Sequence, residues 1–182
     1  MSVPLNSPDT DNYQVGKGVV SFQPNGTGDF IDLGNCTVFE YTPSIEKLEH
    51  FSSRAGIKTK DKSVVISRGG ALKITMEEIT ARNLSMLLMG DVDSGADGGP
   101  TVSIFTADTI TGALKFVATN DIGPRWNFDF YRVEFSPSGS FNPISDEWNS
   151  IEVTGEVLTG DGGEFDGLVG VAQLTNNTEY PA

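Results

Sequence analysis

Cysteine and histidine are nearly absent from this chain of 182 residues, and each shortage removes chemistry. One cysteine, Cys36, permits no intramolecular disulfide and no Cys-based zinc site. A small, semi-buried strand residue is the simplest role for it. One histidine, His50, leaves no His-rich metal cluster, and a Ser-His-Asp site would have to be built on that single ring. No apolar run approaches the ~18 residues of a membrane span, so no membrane insertion is expected. The opening MSVPLNSPDT has neither the basic flank nor the apolar core of a signal peptide, which suggests synthesis in a reducing cytoplasm. No Gly-rich run ends in Gly-Lys-Ser or Gly-Lys-Thr, so no phosphate-cradling loop is expected.

Bases are scarce too. Twelve Lys and Arg face 25 Asp and Glu, for a net charge of −13. Affinity for nucleic acid needs cations that replace phosphate counterions, and this balance argues against it. The bases that exist are concentrated. From Lys47 to Arg68 lie six of the twelve, opposed only by Glu49 and Asp61, a local charge of +4. The other six bases and 23 acids leave −17 on the rest of the chain. A basic arm on an acidic body is complementary to another copy of the same molecule.

What is abundant is the punctuation of β structure. Twenty-one Gly and nine Pro separate short apolar runs. Gly18 to Gln23 and Asp29 to Leu33 read as a hairpin around Pro24-Asn-Gly-Thr-Gly28. Cys36 to Thr42 alternates and should end at Pro43, with Thr37, Phe39 and Tyr41 on one face and Cys36, Val38, Glu40 and Thr42 on the other. Residues 43–63 carry no sustained period and read as a long inter-strand loop. Ser63 to Ile79 is strand-like, with a bulge or bend expected at Gly69-Gly70. Thr80 is a natural N-cap, and Ala81, Leu84, Leu87 and Leu88 at helical spacing predict a short helix over 80–89, with Gly90 following it. Met86 and Met89 are expected to pack rather than bind a cofactor.

Val102 to Thr106 and Leu114 to Ala118 predict strands about a turn at Thr109 to Gly112. Trp126 to Phe135 is an aromatic strand whose apolar parity switches after Phe130; a bulge there, or burial on both faces, would account for it. Asn149 to Leu158 alternates cleanly. The sum is a mainly β domain of about eight strands, a β-sandwich or partly closed barrel with one flanking helix. It would span residues 16–158, between an extended arm at 1–15 and an acidic, Gly-rich tail at 159–182 that a partner would order, if anything does.

Two acidic loops invite comparison with calcium sites: DVDSGADGG, with Asp91, Asp93 and Asp97, and GDGGEFDG, with Asp161, Glu164 and Asp166. Neither matches a twelve-residue calcium loop, and both read as Asp-Gly turns. No catalytic residue, metal or cofactor is expected.

The segments KGVVSFQPNGTGDFIDLGNCTVFEYTPSIEKLEHFSSRAGIKTKDKSVV, ALKITMEEITARNLSMLLMG and FNPISDEWNSIEVTGEVL resemble the tail tube proteins, or major tail proteins, of long non-contractile-tailed bacteriophages of the siphophage type. The resemblance covers most of Gly16 to Gly90 and Phe141 to Leu158. It implies a non-enzymatic virion subunit, assembled in the host cytoplasm. Six-membered rings would stack into a hollow tube around a tape-measure protein, meeting terminator and distal tail proteins at its ends. Viral DNA would pass through without sequence-specific binding. The basic loop is then the intersubunit arm, with Glu49, His50, Arg54, Lys58, Lys60 and Lys62 as candidate contacts. Glu40, Glu77, Asp129, Glu152 and Glu156 are candidates for an acidic lumen wall, an outer solvated face being the alternative. The competing reading is a β-sandwich decoration or adhesin-type module of a virion.

Overall fold

In the computed structural model, residues 8–54, 56–95, 98–160 and 167–175 are described. The strands are β1 (Gly18–Pro24), β2 (Ile31–Asp32), β3 (Cys36–Ser52), β4 (Thr59–Met76), β5 (Val92–Asp93), β6 (Thr101–Val102), β7 (Ile110–Ala118), β8 (Arg125–Ser136), β9 (Ile151–Leu158) and β10 (Gly170–Thr175). The helix α1 is Ala81–Leu88. Among the described residues, eight strands form one antiparallel sheet in the order β2-β1-β7-β8-β9-β4-β3, with β10 pairing β8 beside β9. Strands β5 and β6 form a separate pair.

The sheet wraps around its own apolar face without closing. Val20 and Phe22 of β1, Leu114 of β7, Val133 and Phe135 of β8, Ile151, Val153 and Val157 of β9, and Leu72, Ile74 and Met76 of β4 all point into one core. Burying such a side chain fully contributes about 1.5–3 kcal/mol. The wrapping brings distant strands together: the Phe39 ring of β3 stacks on Phe116 of β7 at 4.9 Å, and Tyr41 lies 5.0 Å from Phe130 of β8. Helix α1 lies against β9 and adds Met86 and Leu87 to the core, with Met89 just beyond its end. Thr80 caps it, its hydroxyl accepting from the Asn83 amide at 3.1 Å. The buried Asn83 side chain donates to the Leu33 and Glu78 carbonyls at 2.8 and 2.9 Å, tying the helix to the β2–β3 connection.

Several sequence expectations are met. The first hairpin pairs Ser21 with Asp32 and Phe22 with Ile31. The parity switch in β8 is a bulge. Gly112 of β7 faces Val133 and Leu114 faces Phe130, which leaves an additional residue in β8 between these pairs. Phe130 and Val133 consequently both reach the core.

Others are corrected. Residues 43–63 are not an irregular loop: β3 and β4 run on as a paired ribbon past Pro43 and Gly70 out to Ser52 and Thr59. Pro43 does not end the strand because β3 is a sheet edge, where a missing N–H is tolerated. The register is continuous through Gly69-Gly70, and the shifts fall at Cys36/Val38, Glu46/Lys47 and His50/Phe51. A Cβ on Gly70 would strike the Tyr41 ring, so that glycine makes room rather than a bend. The shift after Cys36 also overturns its predicted face, since Cys36 packs on the core with Phe39 and Tyr41. The expected turn at Thr109 to Gly112 is largely absorbed into β7, where Gly112 admits the Phe22 ring of neighbouring β1. The β6 strand is confined to Thr101–Val102 and pairs β5 instead. In the C-terminal region, β10 is held by β8 of its own chain rather than by a partner. Residues 1–7, 161–166 and 176–182 lie outside the described residues, as do Ala55, Ala96 and Asp97. The second acidic loop and one acid of the first therefore fall outside them.

Candidate assembly surfaces

The ribbon is the first unusual surface. Every described residue from Pro43 to Arg68 is exposed except the partly covered Ser52. Ten residues of β3 beyond Thr42 correspond to roughly 30 Å of strand. Strand pairing alone supports it, and cross-strand contacts are its means of holding shape. Lys60 pairs with Glu49, and His50 Nδ1 meets Asp61 Oδ1 at 2.6 Å. Four of the predicted contacts, Glu49, His50, Lys60 and the neighbouring Lys62, thus lie along the paired strands. Arg54 and Lys58 lie in the connection at the tip. Among the described residues no ion pair engages Arg54, Lys58 or Lys62.

Sequence reasoning placed Val64 and Ile66 on a strand but missed the apolar content of the rest of this ribbon. Ile45, Leu48, Phe51, Ile57, Val64, Val65 and Ile66 are all exposed. Ile45, Lys47 with Val65, and Phe51 share one face; Leu48 with Val64, and His50 with Lys62, share the other. Both faces mix aliphatic and basic side chains. The β-branched density of Lys62-Ser-Val-Val-Ile66 was the available signal, but without a buried side it yields no clean alternation.

The second surface is the outer face of the wrapped sheet. Four of the five predicted acids, Glu40, Asp129, Glu152 and Glu156, are strand residues directed away from the core. Glu77 follows β4 and accepts a 2.5 Å hydrogen bond from the Asn35 side chain. Asp32 and Glu134 belong to the same outer face and were not singled out from sequence. The face carries bases as well: Lys73 pairs with Glu152 at 2.8 Å, and Lys115 with Asp129 at 3.6 Å. Lys115 also sits 4.8 Å from the Phe30 ring centre. Glu134 and Glu156 are directly opposed across β8 and β9. Opposed like charges disfavour pairing locally and raise the negative potential of the face.

Among the described residues, Cys36 is the titratable group whose pKa is clearly shifted. Burial pushes its thiol up to about 11, with the Asp32 and Glu78 carboxylates adding to the effect. Such a thiol is inert at neutral pH. Among the described residues, no group of three His, Cys, Asp or Glu side chains is arranged to hold a metal ion. No helix among them is long and apolar enough to cross a membrane.

Fold and surfaces together define a mainly β domain: one wrapped, open sheet with a flanking helix and a projecting basic-aliphatic ribbon. Residues 13–114 match a family model, and the chain belongs to that family, described as Protein of unknown function UCP028589. A comparison with curated proteins finds no match. Among solved structures, the chain is similar to one in "Tail of empty GTA particle computed with helical refinement, C6 symmetry". The likeness covers 93% of this chain and 100% of that one, at 10% sequence identity and a TM-score of 0.40.

Proposed function

We propose that this protein is a structural subunit of a phage-type tail tube, whose copies form rings that stack into a hollow conduit for DNA. The observation that carries this reading is the ribbon from Pro43 to Arg68. It exposes aliphatic side chains on both faces and leaves Arg54, Lys58 and Lys62 without ion pairs among the described residues. Apolar surface of this kind marks an interaction site. An acidic body makes a second copy a suitable partner for a basic ribbon.

The sequence resemblance over Gly16 to Gly90 and Phe141 to Leu158 supplies the rest of the proposal. It comprises sixfold rings, a tape-measure protein within, terminator and distal tail proteins at the ends, and assembly in a host cytoplasm into a virion. In this reading residues 16–158 are the tube domain. Glu49, His50, Arg54, Lys58, Lys60 and Lys62 belong to the intersubunit ribbon. Glu40, Glu77, Asp129, Glu152 and Glu156 line a lumen that repels DNA in transit. The open outer edge of β3 gives ring closure a strand to extend.

Negative-stain micrographs and sedimentation of the purified full chain test the reading. Rings or tubes of uniform width are the expected result. Protein that stays monomeric at high concentration across a range of salt would overturn it.

A further inference from the structure

If the ribbon is a male contact, the molecule should carry its receptor. The connection between β8 and β9 has the required properties. Trp148 is 96% exposed and Ile144 is 86% exposed, although both are large apolar side chains. Asp146 and Glu147 stand between them in sequence, and residues 137–150 contain no Lys, Arg or His. The segment is also locally ordered. The Asn142 side chain accepts from the Ile144 amide at 3.2 Å, and Ser145 Oγ accepts from the Glu147 amide at 3.0 Å. Phe141 packs against the core at one end, and Ile151 is fully buried at the other. Anchored at both ends, the segment presents its apolar residues outward. The ribbon tip has the complementary character: Ile57 is 83% exposed, Phe51 is exposed nearby, and Arg54 and Lys58 flank them.

Topology places the two surfaces at opposite ends of the sheet. Strand β9 pairs with β4 from Ile151↔Met76 to Val157↔Gly70. The ribbon leaves the sheet at Gly70, whereas the β8–β9 connection enters it at Ile151 beside Met76. Six residue steps of strand, roughly 20 Å, separate these points. The ribbon extends away from the sheet, so the two surfaces are placed for contact between copies. Complementary surfaces at opposite ends of one molecule make a heterologous, head-to-tail contact that repeats without closing.

Resting on the tube reading, we infer that the segment Phe141–Ser150 is the docking site for the ribbon tip of the next copy along the stack. Trp148 and Ile144 cover Ile57 and Phe51, and Asp146 and Glu147 face Arg54 and Lys58.

Two experiments on the full chain test the contact. In a Cys36→Ala background, Ile57→Cys and Trp148→Cys together should give a ladder of disulfide-linked multimers when the assembled protein is mildly oxidised, and each alone should not. Asp146→Lys with Glu147→Lys should raise the concentration needed for assembly at least tenfold. Adding Arg54→Glu and Lys58→Glu to that variant should recover most of the loss, a rescue that general damage to the fold would not show. Trp126→Phe leaves Trp148 as the sole indole, and its emission should shift to the blue on assembly. Tubes that form without a ladder and without a Trp148 shift would overturn this contact while leaving the tube reading intact. A wild-type chain that never assembles would overturn both.

Discussion

At the residue scale, two positions show how the wrapped sheet constrains individual side chains. Gly90 follows α1, and the sequence suggests a helix-terminating glycine. The left-handed residue is in fact Met89, at φ 47° and ψ 50°. Gly90 is required for a different reason: a Cβ there would collide with the Ser103 carbonyl oxygen, which is backbone and cannot rotate away. Gly90→Ala should therefore destabilise the fold by about 3 kcal/mol, the upper part of the range for overpacking. It would be measured as a lower urea midpoint at unchanged slope. Cys36 is the second position. Its thiol, raised from 9.0 to about 11 by burial and then by Asp32 and Glu78, keeps its proton in the folded state. The folded form thus binds a proton that the unfolded form releases first. The associated stability is fully present below pH 9 and is lost as pH rises through 11. Alkylation of the folded protein by iodoacetamide should stay slow at pH 8 and reach half its limiting rate near pH 11. Rapid labelling at pH 8 would show that Cys36 is not held as described.

At the element scale, the ribbon separates stability from assembly. Its residues add little to the core, because the described ones from Pro43 to Arg68 are exposed apart from the partly covered Ser52. Replacing residues 44–69 by a short Gly-Asn-Gly turn should change the unfolding free energy by no more than about 1 kcal/mol. The same variant should form no rings or tubes. Assembly by the shortened chain would remove the ribbon from the proposed contact. This exposure also explains what was legible beforehand. β1, β9 and the second half of β4 each bury one face, so their alternation is readable from sequence. The apolar switch between Phe130 and Tyr131 in β8 is readable too, although the sequence leaves a bulge and burial on both faces as alternatives and the register decides for the bulge. The ribbon buries neither face, so nothing imposes a period on residues 43–63, and the stretch passes for a loop. β10 was obscured similarly: Val171 and Ala172 are exposed, and pairing with β8 rather than burial gives the strand its place. The candidate acids were legible as the polar parity of readable strands. The apolar half of the ribbon and the exposure of Trp148 were not, since an apolar residue in a sequence is assumed to be inside.

At the scale of the whole molecule, two electrostatic effects oppose each other in any self-association. Copies with a net charge of −13 repel over long distances. A basic tip on an acidic segment attracts over a few ångströms. Screening separates the two, because the Debye length falls from about 30 Å at 0.01 M salt to ~10 Å at 0.1 M and ~3 Å at 1 M. The first rise in salt removes repulsion between bodies while charges in contact still attract. Only toward 1 M is the contact itself weakened, and there the apolar pairs of Ile57 and Phe51 with Trp148 and Ile144 must hold the copies. The sedimenting fraction should therefore pass through a maximum near 0.1 M salt and decline toward 1 M. In the Asp146→Lys, Glu147→Lys variant the decline should vanish, because the attraction being screened is gone. A wild-type fraction that rises steadily to 1 M would mean that apolar burial alone joins the copies, and that the concentration of bases between Lys47 and Arg68 serves some other purpose.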